Sequence, residues 1–153
     1  MIDPEKYSQM LREITPKYVA AVFAFDDCPV PLIGESIKRH LSGCGSVLIC
    51  AATLGEQFDR LLRQTQLESM AGAVVLDSLG GKYIGEFCNQ KDAEVIENAE
   101  HRHRYSPGYG DFPLSVNRDI ISVLNASKRI GLHITDSLFL TPQKSITGIV
   151  GIT

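Results

Sequence analysis

Between Pro107 and Pro113, two prolines and two glycines fall within seven residues. Proline removes an amide donor and glycine forfeits the most backbone entropy, so no helix runs through this stretch. The chain must turn tightly here, and His101 to Leu114 is predicted to be a loop. Gly108 and Gly110 flank Tyr109 and let the backbone approach a ligand without a side chain in the way. Arg104 supplies a planar fork of donors for a carboxylate or phosphate. Tyr105, Tyr109 and Phe112 supply flat faces on which a purine can stack. Such a loop suits a small molecule with an aromatic ring and a carboxylate. On composition alone, a structural loop pinned by its prolines, its aromatics covering the core, accounts for the same residues better.

On either side the pattern mixes helix and strand. Tyr7, Met10, Leu11 and Ile14 recur at helical spacing, and Pro16 stops that helix. Lys17 to Phe25 reads as a strand and Asp26 to Pro31 as a turn. Ile33, Ile37 and Leu41 mark a short helix closed near Gly43. Ser46 to Ala52 reads as a buried strand. Thr53 and Glu56 fit a capping box opening a helix that carries Leu54, Phe58, Leu61 and Leu62. A second helix carries Met70, Ala73, Val74, Ile84 and Phe87. Its Gly80-Gly81 pair costs about 2 kcal/mol of helix propensity, and close packing is the expected reason for it. Asn89 to Glu100 is polar and compatible with helix. Ser115 to Ile130 is a further helix, with Gly131 beyond its end. Leu132 to Leu140 and Ser145 to Ile152 read as a hairpin, with Pro142 at the second position of a type I turn. This order predicts an α+β fold rather than a doubly wound parallel sheet.

The remaining arithmetic mainly excludes. The 153 residues suit one domain, 1–153, and the net charge of -3 argues against a nucleic-acid binder. The longest apolar run, Val19 to Phe25, is too short to span a bilayer. With no signal-peptide pattern at Met1 to Lys6, the expected location is the cytoplasm. The apolar ending Ile149 to Thr153 suggests truncation. Cys28, Cys44, Cys50 and Cys88 lack metal-ligand spacing and read as reduced, small hydrophobic side chains. His101 and His103 lack an evident third ligand. Ser106 and His133 form a weak nucleophile–base idea without the G-x-S-x-G elbow. Neither a dinucleotide nor a P-loop signature occurs.

Arg104-Tyr105-Ser106-Pro107-Gly108-Tyr109-Gly110-Asp111-Phe112-Pro113 resembles the R-x-x-P-G-Y-x-x-x-P loop of the activation domain of cobalamin-dependent methionine synthase. Ile130-Gly131-Leu132-His133-Ile134-Thr135-Asp136-Ser137 is similar to that family's I-G-x-x-L-T-[ED]-S segment, with Ile134 for leucine. Pro142-Gln143-Lys144-Ser145-Ile146-Thr147-Gly148 resembles its P-x-x-S-V-S-G turn and strand. The resemblance covers about residues 100–151 and looks like the compact stand-alone form. It implies an antiparallel sheet with flanking helices that binds S-adenosylmethionine in a shallow groove. It further implies a role in reductive methylation of cob(II)alamin, with an electron from a flavodoxin-like donor.

The same resemblance gives Arg104 the methionyl carboxylate, places Ser106, Pro107 and Gly108 against the ligand, and sets Tyr109 beside the methyl path. No catalytic side chain or resident metal is implied. The chain lacks the cobalamin-binding D-x-H-x-x-G motif, so the corrinoid is expected on another protein, a methionine synthase or a relative. Neither Glu97 nor Glu100 falls in the register of the family's upstream glutamate, which leaves Asp111 as the candidate for that charge. This departure motivates an alternative, a corrinoid-protein docking module that has lost the ligand.

Overall fold

The computed structural model describes residues 2–153. Its centre is β2 (Ser46–Thr53), paired antiparallel with β1 (Lys17–Ala24) on one side and β5 (Ser145–Ile152) on the other. An inner strand covered on both faces needs apolar side chains at successive positions. Val47, Ile49 and Ala51 face one layer, while Leu48, Cys50 and Ala52 face the other. The α+β reading and the antiparallel sheet with flanking helices therefore hold.

The first helical layer holds α1 (Pro4–Arg12), α3 (Gly55–Glu68) and α4 (Met70–Val95). Asp3 caps α1 through the Glu5 amide, and Ser69 caps α4 through the Gly72 amide. Leu76, Gly80, Ile84, Cys88 and Asp92 are all buried, at four-residue intervals that keep one stripe of α4 against the sheet. Helix α4 thus absorbs most of the polar stretch after Asn89. A Cβ on Gly80 would lie 2.7 Å from the Phe58 ring, so this glycine lets α3 and α4 close up. Gly81 has open space. Met70 and Val74, expected on the packed face, are exposed.

The opposite layer holds α2 (Glu35–His40), α5 (Val116–Leu124) and α6 (Ala126–Ile130). The helix expected over Ser115 to Ile130 is two, because Asn125 takes a left-handed conformation at φ 52°. The capping box at Thr53 is not formed. Thr53 ends β2 and its hydroxyl accepts from the Gly55 amide, so α3 starts one residue later than the box requires. The expected hairpin is also not formed. Only β3 (His133–Ile134) and β4 (Leu140–Thr141) pair locally, while β5 goes to β2. Leu138, at φ 70°, turns the chain between them, and the Thr141–Pro142 peptide bond is cis.

Candidate functional site

The residues before the Pro-Gly segment are not all loop. His101 bridges to Ile152 and Tyr105 to Ile149, so Arg102 to His103 to Arg104 run along the outer edge of β5. Three residues there oppose two, Val150 and Gly151, which makes a β-bulge. Arg102 reaches the Ser42 carbonyl at 2.8 Å in the α2 layer. Arg104 turns to the α4 layer and meets Asn89 Oδ1 at 2.9 Å and Asp92 Oδ2 at 3.1 Å. Tyr105 returns to the α2 layer beside His40, Phe112 and Tyr109.

Beyond Tyr105 the edge of β5 is uncovered, and a cavity of about 540 Å³ opens there. Ser106, Pro107 and Tyr109 form one wall, while Leu138 to Leu140 and Ser145 to Thr147 form others. The Ser106 hydroxyl donates to the Thr147 carbonyl at 2.6 Å and ties the turn to the strand. Thr147 in turn donates its hydroxyl to Asn117 Oδ1 at 2.5 Å, both residues being buried. The volume lies in the usual range for small-molecule sites, and the lining is largely apolar with a few fixed polar groups. Tyr109 is 52 % exposed and Phe139 68 %, so the mouth presents aromatic surface to solvent.

The expected site residues divide. Ser106, Pro107 and Tyr109 line this cavity. Arg104 lies over a smaller one, about 210 Å³, with Asn89, Asp92, His101 and His103. Gly108, at φ +98°, shapes the turn and is not on the wall. Asp111 is engaged elsewhere: its carboxylate accepts from the Glu35 amide at 2.8 Å, the Ser36 amide at 2.8 Å and the Ser36 hydroxyl at 2.6 Å. It therefore caps α2 from a distant loop. A Cβ on Gly34 would lie 2.7 Å from Asp111, so only glycine fits beneath this contact. Leu138, Asn117 and Gln143 were not singled out from the sequence, because nothing local marks them as neighbours of the turn. The Ser106–His133 idea fails: Ser106 spends its hydroxyl on Thr147, and His133 lines a different cavity with Lys17 and Glu56.

The Ser36 hydroxyl, then the amides of Ser36 and Glu35, hold the Asp111 carboxyl down to about 2. Its folded value is below the ordinary one of about 3.9, so the cap contributes above that pH and is lost as pH falls toward 2. An NMR titration is expected to give Asp111 a midpoint near 2, with the α2 amides moving in step. A midpoint at the ordinary carboxylate value would show that the cap does not hold in solution.

Residues 81–152 match the family model described as the vitamin B12 dependent methionine synthase, activation domain. Among solved structures, the chain is similar to the MetH reactivation domain bound to AdoHcy, with a TM-score of 0.63 and 15 % sequence identity. That likeness covers 97 % of this chain and 63 % of the other, so this chain spans less than two-thirds of that structure. No curated protein sequence matches. Residues 81–152 are thus similar to the activation domain of vitamin B12 dependent methionine synthase, and the chain shares the fold of the solved reactivation domain.

Proposed function

We propose that this chain is an S-adenosylmethionine-binding reactivation module that serves cobalamin carried by a separate protein. That partner is a methionine synthase or a related corrinoid protein, and a flavodoxin-like donor supplies the electron. One observation carries the reading: the Pro107-Gly108-Tyr109 turn and the Ser145-Ile146-Thr147 strand, far apart in sequence, line one cavity. Its walls suit the adenosine, and the solved neighbour that shares the fold is described as bound to AdoHcy. Arg104 begins the same turn. Its guanidinium lies over the smaller cavity, with Nη1 committed to Asn89 and Asp92, so its assignment to the ligand carboxylate rests on the motif resemblance and on the Nε and Nη2 donors outside those bonds.

The chemistry asked of the chain is positioning. Holding the sulfonium methyl in line with a corrinoid supplies approximation and orientation, and transfer to cob(I)alamin requires no protein acid or base. The polar side chains at the cavity agree with this, since Ser106, Asn117 and Thr147 bond one another or backbone. The exposed apolar rim of Tyr109, Leu114 and Phe139 suits a partner surface that closes over the ligand.

Calorimetry with S-adenosylmethionine, with and without a cob(II)alamin-loaded partner, tests the proposal. Arg104→Ala is expected to weaken binding by about 1.5–3 kcal/mol, the value of a hydrogen bond to a charged group. Arg104→Lys, which keeps charge but not the fork, is expected to fall between. Unchanged affinity in a folded Arg104→Ala variant would make the arginine structural. Absence of heat at millimolar ligand in both settings would favour the docking-module reading. Asp111 favours that alternative, being tied to α2 rather than free for the ligand's ammonium.

A further inference from the structure

The stripe of α4 that packs on the sheet ends in two side chains the ligand cavity does not use. Cys88 and Asp92 meet Cys50 of β2 in the interior. Cys50 Sγ lies 3.8 Å from Asp92 Oδ2, and Cys88 Sγ lies 3.8 Å from the same oxygen and 4.0 Å from Oδ1. One donor atom from each residue falls within 4.8 Å of the others, and all three residues are buried. A tetrahedral centre with metal–sulfur bonds of about 2.3 Å and metal–oxygen bonds of about 2.0 Å sets sulfur and oxygen roughly 3.5 Å apart. The two sulfur–oxygen separations to Asp92 Oδ2 therefore need to close by only about 0.3 Å. We propose that Cys50, Cys88 and Asp92 form a binding site for one thiophilic divalent cation of the zinc class.

Ligand chemistry selects that class. Two thiolates favour a soft or borderline ion, whereas calcium and magnesium require mostly oxygen donors. Charge also balances. Two thiolates and one carboxylate oppose a divalent cation and the Arg104 guanidinium, which lies 3.1 Å from Asp92. A buried cluster without net charge avoids the large cost of an uncompensated ion. Oxygen for a fourth position is at hand from two strands. The Tyr18 hydroxyl is 2.5 Å from Asp92 Oδ1, and the Gly148 carbonyl is 3.6 Å from Cys50 Sγ. Entry is supplied by the smaller cavity, whose wall includes Asp92 together with His101 and His103. Binding is an exchange without redox change: two sulfur–hydrogen bonds give way to two metal–sulfur bonds, and two protons pass to solvent. The site stands independently of the ligand reading.

The test is anaerobic titration of the reduced, metal-free full chain with Cd²⁺, read by the ultraviolet thiolate-to-metal charge-transfer band. One saturating equivalent is expected, and Cd²⁺ is expected to displace Zn²⁺ from a zinc-loaded chain, as the softer ion at a two-thiolate site. The chain's other cysteines are Cys28 and Cys44. Cys28→Ser and Cys44→Ala, singly and together, are expected to leave the band and its stoichiometry unchanged. Cys88→Ala is expected to abolish it with the circular dichroism of the fold retained. No band at stoichiometric Cd²⁺ in the unaltered chain would overturn the site, as would a band lost with Cys28 or Cys44. If Cys88→Ala does not fold, the Cys28/Cys44 double variant still decides, because any thiolate band it shows must come from Cys50 and Cys88.

Discussion

Asp92→Ala is expected to cost about 3–5 kcal/mol of stability, the range for breaking a buried ion pair by removing one partner. The Asp92 side chain is 4 % exposed and that of Arg104 14 %, so little water is available to replace the lost contact. The change strands two groups at once. The Arg104 guanidinium loses its charged partner, and the Tyr18 hydroxyl loses the acceptor 2.5 Å away. Burial, the largest cause holding the Tyr18 hydroxyl above its usual range, persists without Asp92, so the hydroxyl stays a donor and cannot escape by ionising. Asp92→Asn keeps an acceptor for Tyr18 but not the charge, and is expected to lose less. Denaturation in urea measures both. A loss below about 1 kcal/mol for Asp92→Ala would mean that the pair is solvated like a surface one.

Phe58→Ala is expected to cost a similar amount, about 3–5 kcal/mol, through lost transfer energy and the cavity left between α3 and α4. Phe58 is fully buried, and its ring lies where a Cβ on Gly80 would go. That geometry makes a second change informative. Gly80→Ala gains up to about 1 kcal/mol of helix propensity but must push the ring aside, and overpacking costs about 1–3 kcal/mol. The single variant is therefore expected to be neutral to destabilising. In the Phe58→Ala background the same methyl enters empty space and is expected to stabilise. A double-mutant cycle with a coupling of at least about 0.5 kcal/mol would establish the contact. Additivity would show that the helices adjust their spacing instead.

Much of this fold was legible because periodicity survives packing. The run Ser46 to Ala52 carries successive apolar side chains, which is the pattern of a central strand covered on both faces, and β2 is that strand. Gly80 announced close packing and delivers it, while Gly81 does not. What failed depended on partners distant in sequence. Ser145 to Ile152 has a strand pattern, but nothing in it says that β2 rather than the adjacent residues supplies the hydrogen bonds. Asp111 looked like a charge for a ligand because its true partners, Glu35 and Ser36, belong to another part of the chain. Asp92 was overlooked as one polar residue among several. Extending the four-residue stripe beyond Ile84 through Cys88 would have found it. At the cavity, the Pro107-Gly108-Tyr109 turn was readable, whereas the wall from Leu138 to Leu140 depends on a left-handed leucine that sequence alone does not announce.

The extra residue on the outer edge of β5 has a geometric consequence. In a regular strand, residues two apart share a face. Arg102 and Arg104 do not, since one reaches Ser42 and the other Asp92. The bulge shifts the alternation between Arg102 and Arg104, so two arginines two apart serve opposite layers, and Tyr105, next in sequence, falls opposite Arg104 among aromatics. The division of labour within the motif thus rests on how many residues cross this edge as much as on which ones they are.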